Sequence, residues 1–168
     1  GRRVYVTDLR SNAVVAVEDG QVVARIPVGG GPRSLATDAD GSHLYVTSIN
    51  GRDLTIIDTE RNSIEAAIPL PVSGAFAVAI GPQDEFAYVT AHTEGVVVVI
   101  DLDSRQVIDT IQVGANPRGL TFSPTGDRLF VTTAESDEIY IFDSVTRQSL
   151  GTFAAAGGPR GISVVEAP

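Results

Sequence analysis

The chain has 168 residues with 12 Lys plus Arg against 21 Asp plus Glu, a formal net charge of −9, and no cysteine, methionine or lysine, so every basic residue is an arginine. The missing cysteines exclude disulfides and thiolate metal sites. The acidic surface repels duplex nucleic acid and anionic membranes alike, and no apolar run reaches the roughly 18–20 residues of a spanning helix, so neither nucleic acid binding nor membrane insertion is expected.

Tyr5-Val6-Thr7 returns as Tyr45-Val46-Thr47, Tyr88-Val89-Thr90 and Phe130-Val131-Thr132, at separations of 40, 43 and 42 residues. Such a period belongs to repeat architectures, in which each unit buries its apolar face against its neighbours. Thirteen residues beyond each leading aromatic stands a carboxylate: Glu18, Asp58, Asp101 and Asp143. The segments between are rich in Val, Ile and Thr, Gly and Pro punctuate them, and no apolar helical period lasts three turns. The predicted unit is therefore a four-stranded β-blade.

In chain order, the first element predicted is a blade's second strand, Arg3 to Thr7. A loop over Pro27-Val28-Gly29-Gly30-Gly31-Pro32-Arg33 leads into an inner strand at Leu35-Ala36-Thr37, with a hairpin turn at Asp40-Gly41. Gly29-Gly30-Gly31 precedes a strand and no helix, which excludes a phosphate-binding loop of the dinucleotide or nucleotide-triphosphate kind. Asp58-Thr59-Glu60-Arg61-Asn62 closes the third strand, and its counterparts are Asp101-Leu102-Asp103-Ser104-Arg105 and Asp143-Ser144-Val145-Thr146-Arg147. The leading aspartates recur once per blade at one offset, which separates them around a ring. That suits Asx turns on local N–H groups and not a cation site needing six to eight oxygens.

The third repeat reads as strands Ala77 to Ile80, Glu85 to Thr90, Val96 to Ile100 and Gln106 to Gln112. Turns at Gly81-Pro82-Gln83-Asp84 and Pro124-Thr125-Gly126-Asp127 carry the residues such turns require. The chain closes in a predicted first strand, Gly161 to Val165. One all-β domain over 1–168 follows, a β-propeller of four four-stranded blades. Their limits are approximately 161–168 plus 1–31, 32–73, 74–115 and 116–160, with the C-terminal strand completing the N-terminal blade. Such closure hides sheet edges. It is met either by a four-bladed ring or by two chains forming an eight-bladed ring, a homodimer.

Tyr5-Val6-Thr7-Asp8, Ile56-Ile57-Asp58-Thr59, Ile26-Pro27-Val28-Gly29, Ile111-Gln112-Val113-Gly114 and Asn116-Pro117-Arg118-Gly119-Leu120 together resemble the YVTN β-propeller repeat family over nearly the whole chain. The resemblance implies an exported setting, extracellular or periplasmic. Relatives of this kind include surface-layer proteins, periplasmic proteins linked to quinone-dependent alcohol oxidation, and kin of the d1-haem propeller and of lactonase-type enzymes. The chain departs from the family's usual seven or eight blades, and fold alone does not carry activity.

Ligands of propellers sit over the central opening, at the connections that enter each inner strand. Arg33, Arg118 and Arg160 are equivalent by register there, and the second connection, Pro69 to Phe76, has Phe76 in place of the arginine. One reading is an anion pocket, because a guanidinium presents a planar fork of donors to carboxylate or phosphate oxygens. The other is structural, each arginine bonding the carbonyls of the adjacent blade or pairing with its aspartate. His92 and Glu94 are the one candidate acid–base pair, and two isolated histidines form no zinc site.

The leading expectation is a non-catalytic interaction or structural module without metal or cofactor, binding a protein or cell-surface component and a small anionic molecule at its opening. The alternatives are a lactonase- or lyase-like propeller enzyme and an excised or engineered half-propeller that assembles as a dimer.

Overall fold

The computed structural model describes residues 3–165, and among them every regular element is a strand. The fifteen strands are β1 (Arg3–Asp8), β2 (Ala13–Glu18), β3 (Gln21–Pro27), β4 (Pro32–Thr37), β5 (His43–Ser48), β6 (Asp53–Asp58), β7 (Ser63–Pro69), β8 (Ala75–Ile80), β9 (Phe86–Ala91), β10 (Val96–Asp101), β11 (Gln106–Gln112), β12 (Pro117–Phe122), β13 (Arg128–Thr133), β14 (Glu138–Asp143) and β15 (Ser149–Ala154). They form four antiparallel meanders, β1–β3, β4–β7, β8–β11 and β12–β15. The first strands of successive sheets pack in sequence, β1 on β4, β4 on β8 and β8 on β12, so the sheets stack face to face as the blades of a propeller.

This stacking explains the hydrophobic pattern. A strand covered on both faces has no polar side, and β10 is buried from Val96 to Ile100 without a break. The outermost β11 alternates because only one face meets a neighbour. In each blade the pairing of third and outer strands slips at the same place, at Ala16/Val17, Ile56/Ile57, Val99/Ile100 and Ile141/Phe142. A bulge there adds twist to the outer strand. Apolar clusters lie between consecutive blades, the largest joining Leu54, Ile56 and Leu70 of the second to Val89, Val98 and Ile100 of the third.

Three of the recurrent acids close local turns. Asp58 accepts from Arg61 N at 2.7 Å, Asp101 from Ser104 N at 2.7 Å, and Asp143 from Val145 N and Thr146 N at 3.1 and 2.7 Å. These backbone bonds hold all three carboxyls below the usual range. Glu18 instead reaches across its own sheet to Arg3 Nη2 at 2.8 Å.

The inner strand expected at Gly161–Val165 is not formed. The first sheet holds three strands, β1 pairs only with β2 among the described residues, and the closing end of blade 161–168 lies partly outside them. The backbone at Arg160 lies instead beside β12 and β13, where Arg160 O accepts from Thr132 Oγ1 at 3.0 Å. That is the place an inner strand takes against the preceding blade. What it lacks is a second strand alongside, and an inner strand has no ladder without one.

An ion-paired chain ties the second blade to the third. His43 Nδ1 faces Asp38 Oδ2 at 2.7 Å, His43 Nε2 faces Glu65 Oε2 at 3.0 Å, and Glu65 also pairs with Arg105. With a carboxylate on each ring nitrogen, the imidazolium is favoured despite partial burial, and the His43 pKa is raised. A raised histidine contributes stability that is complete below its unfolded pKa, about 6.5, and disappears as pH rises through the folded value. Melting temperature is therefore expected to fall modestly between about pH 6 and 8, by the equivalent of about 1 kcal/mol or less for such exposed pairs. In His43→Gln this slope disappears, which a series of thermal melts would measure.

Candidate anion-binding site

The pairing of each inner strand with its neighbour is interrupted at its start, at Pro32/Ser34 in β4, Ala75/Val78 in β8 and Pro117/Leu120 in β12. Arg33, Phe76 and Arg118 stand in these gaps, released from the ladder. The threonine of the repeated triplet fills each gap. Thr90 Oγ1 accepts from Ala77 N at 2.9 Å within its blade and donates to Arg118 O of the next blade at 3.2 Å. Thr47 does the same for Ser34 N and Phe76 O, and Thr132 for Gly119 N and Arg160 O. All three threonines are buried. Each fixes the backbone of one candidate site residue, a role no sequence reading assigned to them.

The side chains converge as register predicts. Phe76 lies between Arg33 on the preceding blade and Arg118 on the following one, and both guanidinium carbons stack on its ring, 4.4 and 4.3 Å from the centroid. Arg160 comes close enough to repel Arg118. Burial, then Arg160, then Arg33 push the Arg118 pKa below its ordinary value. Arg118 Nε is buried without a hydrogen-bond partner. Among the described residues none of Arg33, Arg118 and Arg160 pairs with a carboxylate, and none of their side chains bonds a carbonyl. The place of Phe76 therefore serves two stacked cations.

His92 and Glu94 border this cluster but serve the Phe76 connection. Glu94 Oε1 accepts from Ser73 N and Oγ, each at 2.9 Å, and despite partial burial these bonds hold its carboxyl below the usual range. His92 Nδ1 donates to Gly74 O at 2.6 Å, and its ring meets Phe76 edge-on at 6.1 Å between centroids. Gly74 has φ +65°, and a Cβ there would overlap the His92 ring, so glycine is needed for both the turn and the approach. With Nδ1 donating, the lone pair of neutral His92 lies on Nε2.

Residues 2–156 match the sequence pattern of the family described as lactonase, 7-bladed β-propeller. The chain belongs to that family. Curated relatives of this propeller chain include YncE of Salmonella typhimurium (strain LT2), 32% identical over 98 residues. That alignment takes in 58% of this chain and 27% of YncE. The seven-bladed β-propeller protein Rv1057 of Mycobacterium tuberculosis is 32% identical over 117 residues, 67% of this chain and 29% of Rv1057. The chain thus spans less than a third of the length of these relatives. Among solved structures, the hydrazine synthase of Kuenenia stuttgartiensis superposes with a TM-score of 0.83 at 19% identity, over 90% of this chain and 46% of that one. That likeness is one of fold.

Proposed function

We propose that this lactonase-family propeller segment is a non-catalytic binding module whose axial face takes up a small anionic molecule, a compact carboxylate or phosphate. The observation that carries the reading is Arg118. It is a partly buried cation with an unpartnered Nε, set beside two further arginines, in ion-pair contact with no carboxylate among the described residues and opposed only weakly by the charge of Glu135. A structural arginine has its donors filled, whereas a preorganised cluster of unfilled guanidinium donors is complementary to oxygen anions. The Tyr-Val-Thr repeats support an exported, YVTN-type setting, in which the same face would engage acidic groups on a protein or cell-surface component.

Titration calorimetry at low ionic strength with inorganic phosphate and citrate tests this. Saturable binding tighter than about 1 mM is expected for at least one of them, weakening steeply as salt is added. Absence of saturation by both overturns the reading.

A second reading, hydrolysis of a ring ester, is favoured by the family match and by the free Nε2 of His92. In it, Nε2 takes a proton from water as the water attacks the ester carbonyl. An arginine stabilises the oxyanion, and the proton returns to the leaving ring oxygen. A pH-stat assay over five- and six-membered lactones decides. Acid release that His92→Gln abolishes supports catalysis, and release no faster than in buffer leaves the binding module.

A further inference from the structure

The second and third blades, and the third and fourth, leave a cleft at the far end of the inner strands, roughly 15–20 Å from the arginine cluster at the rise of an extended strand. The cleft between second and third blades is filled with charge. Asp38, His43, Glu65 and Arg105 form one bonded chain, and Asp40 and Asp103 also line this space or its rim. One blade on, the same places read differently. Gly81 stands for Asp38, Phe86 for His43, Ile108 for Glu65, Gln83 for Asp40 and Val145 for Asp103, while Arg147 keeps the place of Arg105. The cation has been retained, and the carboxylates at the positions equivalent to Asp38, Glu65, Asp40 and Asp103 have gone.

The result is a cavity of about 250 Å³ between the third and fourth blades, walled by Phe86, Tyr88 and Phe122. Tyr88 and Phe122 meet edge to face at 5.3 Å. The Arg147 guanidinium stacks on Phe86 at 5.0 Å, and its Nε is buried without a partner. Its one ion-pair neighbour among the described residues is Asp109 at 3.8 Å, beyond hydrogen-bond reach. Arg147 is also held at φ 60°, as are Asn62 and Arg105 at φ 51° and 56° in the corresponding turns. Asn62 accepts from Tyr5 OH at 3.0 Å, and Arg105 finds Glu65, so in both earlier blades this turn residue clasps the blade before it. In the fourth it clasps an aromatic wall and offers an unused donor.

We propose that this cleft is a second binding site, for a small planar apolar molecule bearing one carboxylate, such as an aryl carboxylate. The ring fits the space, since an apolar cavity of about 150 Å³ accommodates a benzene. Edge-on and stacked aromatic contacts hold the ring, and the carboxylate supplies the acceptor that Arg147 lacks. Glu85, exposed at the rim where the second blade has Ser42, disfavours a second negative charge.

Ligand-observed NMR titration of the Arg118→Leu protein, whose axial cluster is disabled, tests the site with three probes. These are benzoate, benzyl alcohol (ring without charge) and acetate (charge without ring). Benzoate is expected to bind at least tenfold more tightly than either of the others. Arg147→Asn installs the residue that the second blade uses at this turn, and Gly81→Asp restores the second blade's internal carboxylate. Both are expected to remain folded in thermal melts and to weaken benzoate at least tenfold, while Arg147→Asn leaves benzyl alcohol unchanged. Benzoate binding no better than acetate, or binding undiminished in a folded Arg147→Asn protein, overturns the proposal. Neither result bears on phosphate or citrate at the axial face.

Discussion

Thr90→Val is expected to destabilise the protein by about 2–5 kcal/mol, although it exchanges one hydroxyl for a methyl of nearly the same shape. The hydroxyl is fully buried and serves two backbone groups in two blades, accepting from Ala77 N–H and donating to Arg118 C=O. Valine leaves both part-buried groups without a partner, at up to about 1–3 kcal/mol each. For a domain of this size that is a fall in melting temperature of roughly 5–15 °C. The comparison is Thr7→Val at the matching place in the first blade. Thr7 is half-buried and has no such pair of bonds among the described residues, so that change is expected to stay within about 0.5 kcal/mol. Equal losses in the two variants would show that the bonds between blades do not carry the effect. Because Arg118 O is one of the two partners, Thr90→Val is also expected to weaken anion binding, through the backbone that positions the guanidinium.

The threonines show where sequence reading reaches its limit. Their spacing gave the repeat and the blades, because a residue that recurs at fixed register must recur in the fold. Their bonds were not legible, since a threonine in a strand satisfies β-propensity alone, and the partner carbonyls lie 28 or 29 residues along the chain, outside the threonine's own sheet. The turn aspartates were legible because their partners lie two or three residues along the same chain. Register placed Arg33, Phe76 and Arg118 together, but it could not say whether the arginines would find carbonyls, carboxylates or each other. The stacking on Phe76 decides this, and the signal was the aromatic substituted into a ring of arginines. The strand at Gly161–Val165 was read from phase, which records where a segment belongs in the repeat and not whether a partner strand lies beside it. The charged cleft of Asp38, His43, Glu65 and Arg105 escaped notice because its members are scattered over 68 positions. Laying one blade's sequence over the next would have exposed it, together with its discharged counterpart around Arg147.

Arg118→Leu is expected to move function and stability in opposite directions. Loss of a charge-assisted bond worth about 1.5–3 kcal/mol should weaken phosphate or citrate by roughly 10- to 100-fold. Without ligand, the same change removes a half-buried cation whose Nε has no partner and which faces Arg160 and Arg33. It gives up one stacking contact on Phe76, worth about 0.5–1 kcal/mol at a partly exposed site, and gains an apolar side chain against the same ring. The net change expected at low salt is a stabilisation of about 1 kcal/mol, a rise in melting temperature of roughly 2–4 °C. Adding phosphate should then reverse the order, because a ligand that binds only the folded state raises the melting temperature of the protein able to bind it. Thermal melts of both proteins with and without phosphate contain the whole test. If the leucine protein melts well below the original at low salt, Arg118 is a structural residue, and the convergence of arginines on Phe76 holds the blades together instead of waiting for an anion.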